Sequence, residues 1–433
     1  MTDLVTLILQ VGVIIIVARC TGWLFRRFHQ PQVVGEMVAG LLLGPSLLGR
    51  VAPGLAGQLF PPASLGFLNS LSQMGLLLFM YLVGLELDLK KLRSLGHTAV
   101  ITSHVSIIIP FVLGALVALF LYPRLSDGSV RFTEFALFMG AAMSVTAFPV
   151  LARILTERKL LLTEVGTVAI ACAAVDDITA WCILAGIIAL ARSTGGQFSL
   201  LLTLCWLGLY LTTMMYVVRP MLRRIERSFL RAGLSYDLIA VVILLILASS
   251  LFTEWMGVHA LFGAFFAGVV SPKHKNFVRE LTARFEPVTI VMLLPLFFAL
   301  TGLRTSISLI SGVSMWLYCA LIIFVAVAGK LGGSMISARI NGMPWRESAA
   351  IGILMNTRGL VELVILNIGL DMGVLSPALF SMMVLMALTT TFMATPLLQW
   401  VYPERLFRDV EEPTRRRVNV EEAHLIGSSL KAS

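Results

Sequence analysis

Hydrophobic stretches long enough to cross about 30 Å of hydrocarbon, at roughly 20 residues each, recur almost without pause from Leu4 to Tyr402. The pattern predicts thirteen membrane spans, near 4–24, 33–48, 65–85, 98–121, 132–152, 162–191, 200–218, 238–252, 258–270, 288–303, 313–336, 348–368 and 374–400. Polar residues fall mainly in the short connections between them, which leave no room for a separate soluble domain. The first stretch lacks a basic leader and a small-residue cleavage site, so it reads as a retained helix rather than a removed signal.

Composition agrees with a bilayer as solvent: 58% of residues are hydrophobic and 13% charged, against roughly 25% charged in a soluble domain. The net charge of +9 does not imply a nucleic-acid partner, because the 33 Lys and Arg residues are scattered through short loops instead of gathering on one face. They sort by side. Loops after the odd-numbered spans, with the C-terminal tail, hold 25 basic residues, and the opposite loops hold five: Arg50, Arg124, Arg131, Arg192 and Arg304. The positive-inside rule then predicts an outward N-terminus and a cytoplasmic tail, in the cell (plasma or inner) membrane. Arg19, Lys330 and Arg358 belong to neither side, since they lie inside spans. All five cysteines, Cys20, Cys172, Cys182, Cys205 and Cys319, fall in apolar spans and read as packing residues.

Two motifs occur twice in the same order. GEMVAG (35–40) returns as GAFFAG (263–268), and LFMYLVGLELDL from Leu78 returns as LFFALTGLRTSI from Leu296, at offsets of 228 and 218 residues. A weaker match sets Glu134 and Met143 against Glu347 and Met355. Small-residue motifs also recur in membrane helices simply because they permit close packing, but two in register point to duplication. Corresponding spans are seven apart, an odd offset, so the second copy enters the membrane from the opposite side. The predicted architecture is therefore an all-α integral membrane protein of about thirteen transmembrane helices in two inverted six-helix repeats. Residues 1–191 form the first, 192–235 a linking helix and cytoplasmic loop, 236–402 the second, and 403–433 a short cytoplasmic tail. Secondary transporters use this architecture, with a site near the midplane.

The candidate chemistry lies in the few intramembrane charges. AAVDDITAW (173–181) carries Asp176 and Asp177 side by side deep in an apolar span. An acid at mid-bilayer costs roughly 2.5 to 3.5 kcal/mol, and such residues usually mark ion or proton paths, although buried acids neutralised to hold helices together are the alternative. Neighbours on a helix point about 100° apart, so the two carboxylates should do different jobs. Lys330 in VAVAGKLGGS is a natural mate for one of them, unless it snorkels to an interface. Two spans carry breakers at similar depth: SVTAFPVLAR (144–153) with Pro149, and MNTRGLVEL (355–363) with Gly359. Unwound backbone there must line a cavity or be covered by protein, where freed carbonyls, with the Ser144 and Thr146 hydroxyls, can coordinate a cation. Arg358 and Glu362 share a helical face and read mainly as a structural pair, direct ion coordination being the other possibility. Glu36 reads as a packing or gating carboxylate.

Together GEMVAGLLLGP, SVTAFPVLAR, AAVDDITAW, PLFFALTGL and MNTRGLVELVILNIG resemble the monovalent cation/proton antiporter-2 family, relatives of bacterial sodium/proton and potassium/proton antiporters and plant cation/proton exchangers. The likeness runs from about Gln30 to Gly369. It implies a dimerisation domain, a mobile core domain in which two broken helices cross, and a homodimer. It also implies Asp177 as the main ion-binding carboxylate, Asp176 paired with Lys330, Thr146 at one break and Arg358 at the other. Some potassium-exporting relatives carry a nucleotide-binding domain after the last helix, and the residues after Pro403 are too few to form one. The expected function is exchange of sodium, potassium or both for protons by alternating access. Asp176, Asp177 and Lys330 would carry the exchange and Asp176, Asp177, Thr146 and Ser144 hold the cation, supported by Arg358 and Glu362. No enzyme chemistry, cofactor or nucleic-acid partner is expected. The competing readings are a cation channel and an intramembrane aspartyl protease, whose acids would have to meet from different helices.

Overall fold

The structure is a computed structural model that describes residues 3–86, 97–126, 128, 130–158, 160, 163–192 and 197–403; the predicted tail, 404–433, lies outside the described residues. All regular elements of the described residues are helices. Among the described residues nine helical stretches are long and apolar enough to cross a membrane, and a bent pair, Trp345–Met355 with Leu360–Asp371, makes a tenth if counted as one span. Among the described residues no cysteine is joined in a disulfide.

The principal helices are α1 (Asp3–Arg27), α2 (Gln32–Leu43), α3 (Pro62–Glu86), α4 (His97–Leu125), α5 (Phe132–Ser144), α6 (Phe148–Glu157), α7 (Glu164–Arg192) and α8 (Gln197–Thr213). After them come α9 (Tyr236–Trp255), α10 (Ala260–Val270), α11 (Lys275–Val288), α12 (Leu294–Arg304), α13 (Gly312–Val327), α14 (Gly333–Ile340), α15 (Trp345–Met355), α16 (Leu360–Asp371) and α17 (Pro377–Val401). The fifth and twelfth predicted spans are each divided at their expected breakers, between α5 and α6 and between α15 and α16, and the ninth is the 11-residue α10, about 16 Å long at 1.5 Å per residue. The His259 ring, accepting from the Leu261 N–H, starts α10 late.

Packing groups the helices differently from the sequence halves. α1–α3 pack with α9–α12, and α4–α7 pack with α13–α17, so each bundle draws on both halves of the chain. In the first bundle the repeated motifs do the joining. Gly40, the second GEMVAG glycine of α2, meets the LFFALTG segment of α12, where a Cβ on Gly40 would strike the Phe298 carbonyl and one on Gly302 the Gly40 backbone, while Gly35 packs on Gly22 of α1. Likewise the LFMYLVG segment of α3 meets GAFFAG of α10: a Cβ on Gly84 would strike the Phe265 carbonyl and one on Gly268 the Tyr81 carbonyl. Each motif thus packs against the other motif's second copy, with backbone on backbone, as small residues in membrane helices allow.

Both crossings are fastened by polar groups at helix ends. Lys273 Nζ donates to the carbonyls of Gly84 (2.8 Å), Leu85 (2.8 Å) and Gly268 (2.9 Å), closing the C-termini of α3 and α10 together. A cation is favoured there by the negative end of each helix dipole. At the other crossing the Ser46 hydroxyl donates to the Thr305 carbonyl (2.8 Å) and accepts from the Ile307 N–H (3.1 Å).

The glycine contacts predict an asymmetric response to one added methyl. Gly302→Ala should lower the thermal unfolding temperature in detergent, with roughly 1 to 3 kcal/mol lost to overpacking. Gly66→Ala, on the same bundle with open space around its Cα, should be neutral or stabilising by up to about 1 kcal/mol from helix propensity. Equal unfolding temperatures for the two variants would refute the crossing as a backbone contact.

Candidate functional site

The site forms where two helices lose their winding. α5 stops at Ser144, residues 145–147 are extended, and α6 starts at Phe148. Pro149 has no N–H to give the Val145 carbonyl, so a continuous helix cannot pass, while the start of α6 tolerates a proline. α15 stops at Met355 and α16 starts at Leu360, with the two axes bent by 42°. The breaks lie against each other: the Ala147 N–H donates to the Thr357 carbonyl (3.0 Å), and the Thr146 hydroxyl lies 3.0 Å from the Met355 carbonyl. Gly359 leaves room for this, since a Cβ there would press on Ala147 and Val150.

A broken helix leaves carbonyls without intrahelical donors, and buried cations supply them here. Arg358 donates from Nη1 to the Ala142 carbonyl (2.8 Å) and from Nη2 to the Met143 carbonyl (2.7 Å), and Lys330 Nζ donates to the Ser144 carbonyl. The last carbonyls of α5 are therefore capped by two side chains from elsewhere in the bundle. Lys330 reaches the site from a widened π-type turn, Ala328–Gly332, between α13 and α14, a feature often found at functional positions. Arg358 has its own clasp on α17: its N–H donates to Thr391 Oγ1 (2.9 Å), and the Thr391 hydroxyl lies 2.8 Å from its carbonyl.

Asp176 and Asp177, both fully buried, have opposite surroundings. Asp176 Oδ1 accepts from Ser103 (2.7 Å), and its Oδ2 accepts from Ser106 (2.9 Å), Thr146 (2.8 Å) and Lys330 (2.7 Å). Lys330 completes its own set with the Ser106 carbonyl at 2.9 Å. Among the described residues neither oxygen of Asp177 has a hydrogen-bond partner, although the Phe148 amide faces the carboxylate from the start of α6. Arg358 and Glu362 form an ion pair at 3.6 Å, with Glu362 in the first turn of α16, where the helix dipole favours a negative charge.

These placements sort the expected site residues. Asp176, Lys330 and Thr146 are brought into direct contact, and Asp177 stands beside them unpaired. Ser144 joins through its carbonyl; its hydroxyl turns back to the Ala141 carbonyl (2.9 Å). Arg358 touches Glu362, yet its hydrogen bonds go to the end of α5. Ser103, Ser106 and Thr391 were not singled out from sequence. The available signal was a pair of serines three residues apart in an apolar span, on one helical face.

Formal charges show what the arrangement can hold. Asp176 balances Lys330 and Glu362 balances Arg358, so an ionised Asp177 is the one unmatched charge among these five residues. A proton or one monovalent cation at Asp177 restores neutrality, and without either the cluster carries a net negative charge away from water.

A cavity of about 420 Å³ opens between the two bundles, and Glu36, Glu86, Glu286, Arg153, Phe148 and Leu360 are among its walls. Phe148 both lines this cavity and presents its amide to Asp177. Glu36 is held by Gln32 (2.8 Å), which also accepts from Arg153 (3.2 Å), linking the bundles at the cavity wall. Elsewhere between the bundles, Arg304 Nη1 donates to Asp371 (2.7 Å) and Asn367 (3.2 Å), while Asn367 donates to Thr301 (2.9 Å).

Residues 13–402 match the family model described as sodium/hydrogen exchanger, transmembrane. The chain is 44% identical over 402 residues to the Na(+)/H(+) antiporter NhaS4 of Synechocystis, covering 92% of this chain and 98% of that one. It is 42% identical to cation/H(+) antiporter 17 of Arabidopsis thaliana and 35% identical to K(+)/H(+) antiporter 1 of Saccharomyces cerevisiae. Those matches cover 92% and 94% of this chain but 48% and 47% of the relatives, about half their length. Among solved structures, the sodium proton antiporter MjNhaP1 of Methanocaldococcus jannaschii matches with a TM-score of 0.63 over 93% of this chain and 98% of that chain. At 13% identity that likeness concerns the fold.

The 2.7 Å contact between Lys330 and Asp176 predicts strong coupling between two substitutions. Lys330→Ala leaves a buried carboxylate without its cation and should cost roughly 3 to 5 kcal/mol of stability. Adding Asp176→Asn should add little. A double-mutant cycle on unfolding in detergent checks this, and strictly additive losses would contradict the pairing.

Proposed function

This chain belongs to the sodium/hydrogen exchanger family, and we propose that it exchanges monovalent cations for protons at Asp177. The carrying observation is that Asp177 is buried, lacks a hydrogen-bond partner among the described residues, and stands beside two internally balanced ion pairs. Its carboxylate can take a proton or a cation, one at a time. Either ligand neutralises the cluster, so the loaded forms can turn between the two faces of the membrane, while the empty form carries a charge through a low-dielectric region at a cost of several kcal/mol. Coupling follows from that penalty, because return without a ligand is the slow path.

The division into bundles supports alternating access. The α4–α7 and α13–α17 bundle holds the charged site and fits the role of the moving core; the glycine-locked bundle of α1–α3 and α9–α12 fits that of a fixed frame. The cavity bordered by Glu86, Glu286 and Arg153 is the water-filled approach for the cation in this conformation, and the Arg304, Asp371 and Asn367 contacts close the other side. The distribution of basic residues supports a cytoplasmic cavity and an outward N-terminus. The crosswise packing of the repeated motifs supports an inverted duplication. The proposal extends to a homodimer, for which the family resemblance is the support.

Three measurements test this reading. Asp177→Asn removes the exchangeable charge at constant size, and in proteoliposomes it should abolish dissipation of a pH gradient by added sodium or potassium while the protein still purifies folded. Competition at one carboxylate also makes the half-saturating cation concentration rise about tenfold per pH unit on the acid side of that group's titration. On the alkaline side it should become flat, and a constant value at all pH would reject the shared site. For orientation, a reporter after Ser433 should be cytoplasmic, and Gln58→Cys in a cysteine-free background should react with impermeant thiol reagents from outside. The reverse labelling would overturn the topology.

A further inference from the structure

Asp176 and Asp177 differ in how many of their lone pairs are already taken, and this difference bears on which cation the site accepts. A carboxylate has about four acceptor positions. On Asp176 these are filled: Ser103 binds Oδ1, Thr146 and Lys330 bind Oδ2, and the Ser106 hydroxyl lies 3.2 Å from one oxygen and 2.9 Å from the other. Lys330 is saturated as well, its three N–H bonds matched by Asp176 Oδ2 and the Ser106 and Ser144 carbonyls. Asp176 therefore cannot turn an oxygen to a cation without stranding a buried donor, a loss of about 1 to 3 kcal/mol. On Asp177 only the Phe148 amide faces the carboxylate, and neither oxygen has a hydrogen-bond partner among the described residues, so most of its acceptor positions are open.

Resting on the antiport reading above, we propose that Ser103 and Ser106 set the cation selectivity by keeping Asp176 out of the coordination sphere, leaving a single-carboxylate site that favours potassium over sodium. The physical ground is field strength. A smaller cation holds its water more tightly and gives it up only to a strong set of oxygens, whereas a weak set suits the larger, less hydrated ion. Two adjacent carboxylates would make a strong set. The serines on α4 remove one of them, and they act on selectivity through Asp176 rather than by touching the cation.

The test uses purified full-length protein in proteoliposomes, with potassium, sodium and choline chlorides at constant ionic strength and a fixed pH gradient. Wild type should show a half-saturation constant for potassium about fivefold below that for sodium. Ser103→Ala frees Oδ1 to meet the cation, so the sodium constant should fall and the ratio should move towards sodium by about tenfold. Ser103→Thr, which keeps the hydroxyl, should keep the wild-type ratio. Normal exchange by Ser103→Ala with an unchanged ratio would overturn the proposal, as would a wild type that prefers sodium. If Ser103→Ala does not fold, thermal protection of wild type in detergent decides: potassium must protect at lower concentration than sodium, and the opposite order overturns the proposal. Failure of every alkali cation to dissipate the gradient in wild type would refute antiport itself, whereas robust exchange with sodium preferred would refute only the selectivity.

Discussion

The rest of the structure depends on the contact between Lys330 and Asp176. Two charges with no exposure to solvent are tolerable only as a pair with every remaining proton and lone pair engaged, and the surroundings supply that. Ser103 and Ser106 of α4, Thr146 at the first break and the Ser144 carbonyl at the end of α5 all converge on this pair. Holding them together fixes α4, α5, α7 and the α13–α14 turn relative to one another. Asp177 gains its character by contrast: only the Phe148 amide faces it, and no side chain among the described residues hydrogen-bonds it.

The same accounting explains why two helices can be interrupted inside a membrane protein. Unwinding exposes backbone groups that lipid cannot satisfy, and each break is repaired by the other or by a buried side chain. Ala147 bonds Thr357 across the crossing, Arg358 caps α5, and Thr391 clasps Arg358. These are structural bonds with a chemical by-product, because the cations that cap α5 sit within the same cluster as the two aspartates. Fold and site are in this respect one network.

Much of this was legible in the sequence because membrane proteins spell out their constraints locally. Long apolar runs marked the helices, Pro149 and Gly359 marked the breaks, and charges inside apolar runs marked Asp176, Asp177, Lys330 and Arg358. What was not legible depended on partners distant in the chain. Ser103 and Ser106 look like ordinary polar residues of a packed helix until Asp176, some seventy positions away, is placed against them. Ser144 was expected to offer its hydroxyl, but a hydroxyl in a helix can bond its own preceding turn, and it does so here. The repeated motifs announced kinship between segments; that each would pack on the other motif's second copy required the three-dimensional arrangement. The 11-residue α10 agrees with the sequence reading to within two residues, with His259 capping its start.

The glycine crossings of the first bundle carry a mechanical consequence. Where α2 meets α12 and α3 meets α10, backbone rests on backbone, and no side chain lies between them to change rotamer as the helices slide. Such joints resist shear, since any slip drives a carbonyl into a Cα. The seam between the two bundles is made differently, from long side chains such as Arg153, Gln32, Arg304 and Asp371, whose torsions can yield one at a time. Stiffness and compliance are therefore segregated within one molecule, and a thermal fluctuation large enough to displace whole helices is channelled along that seam.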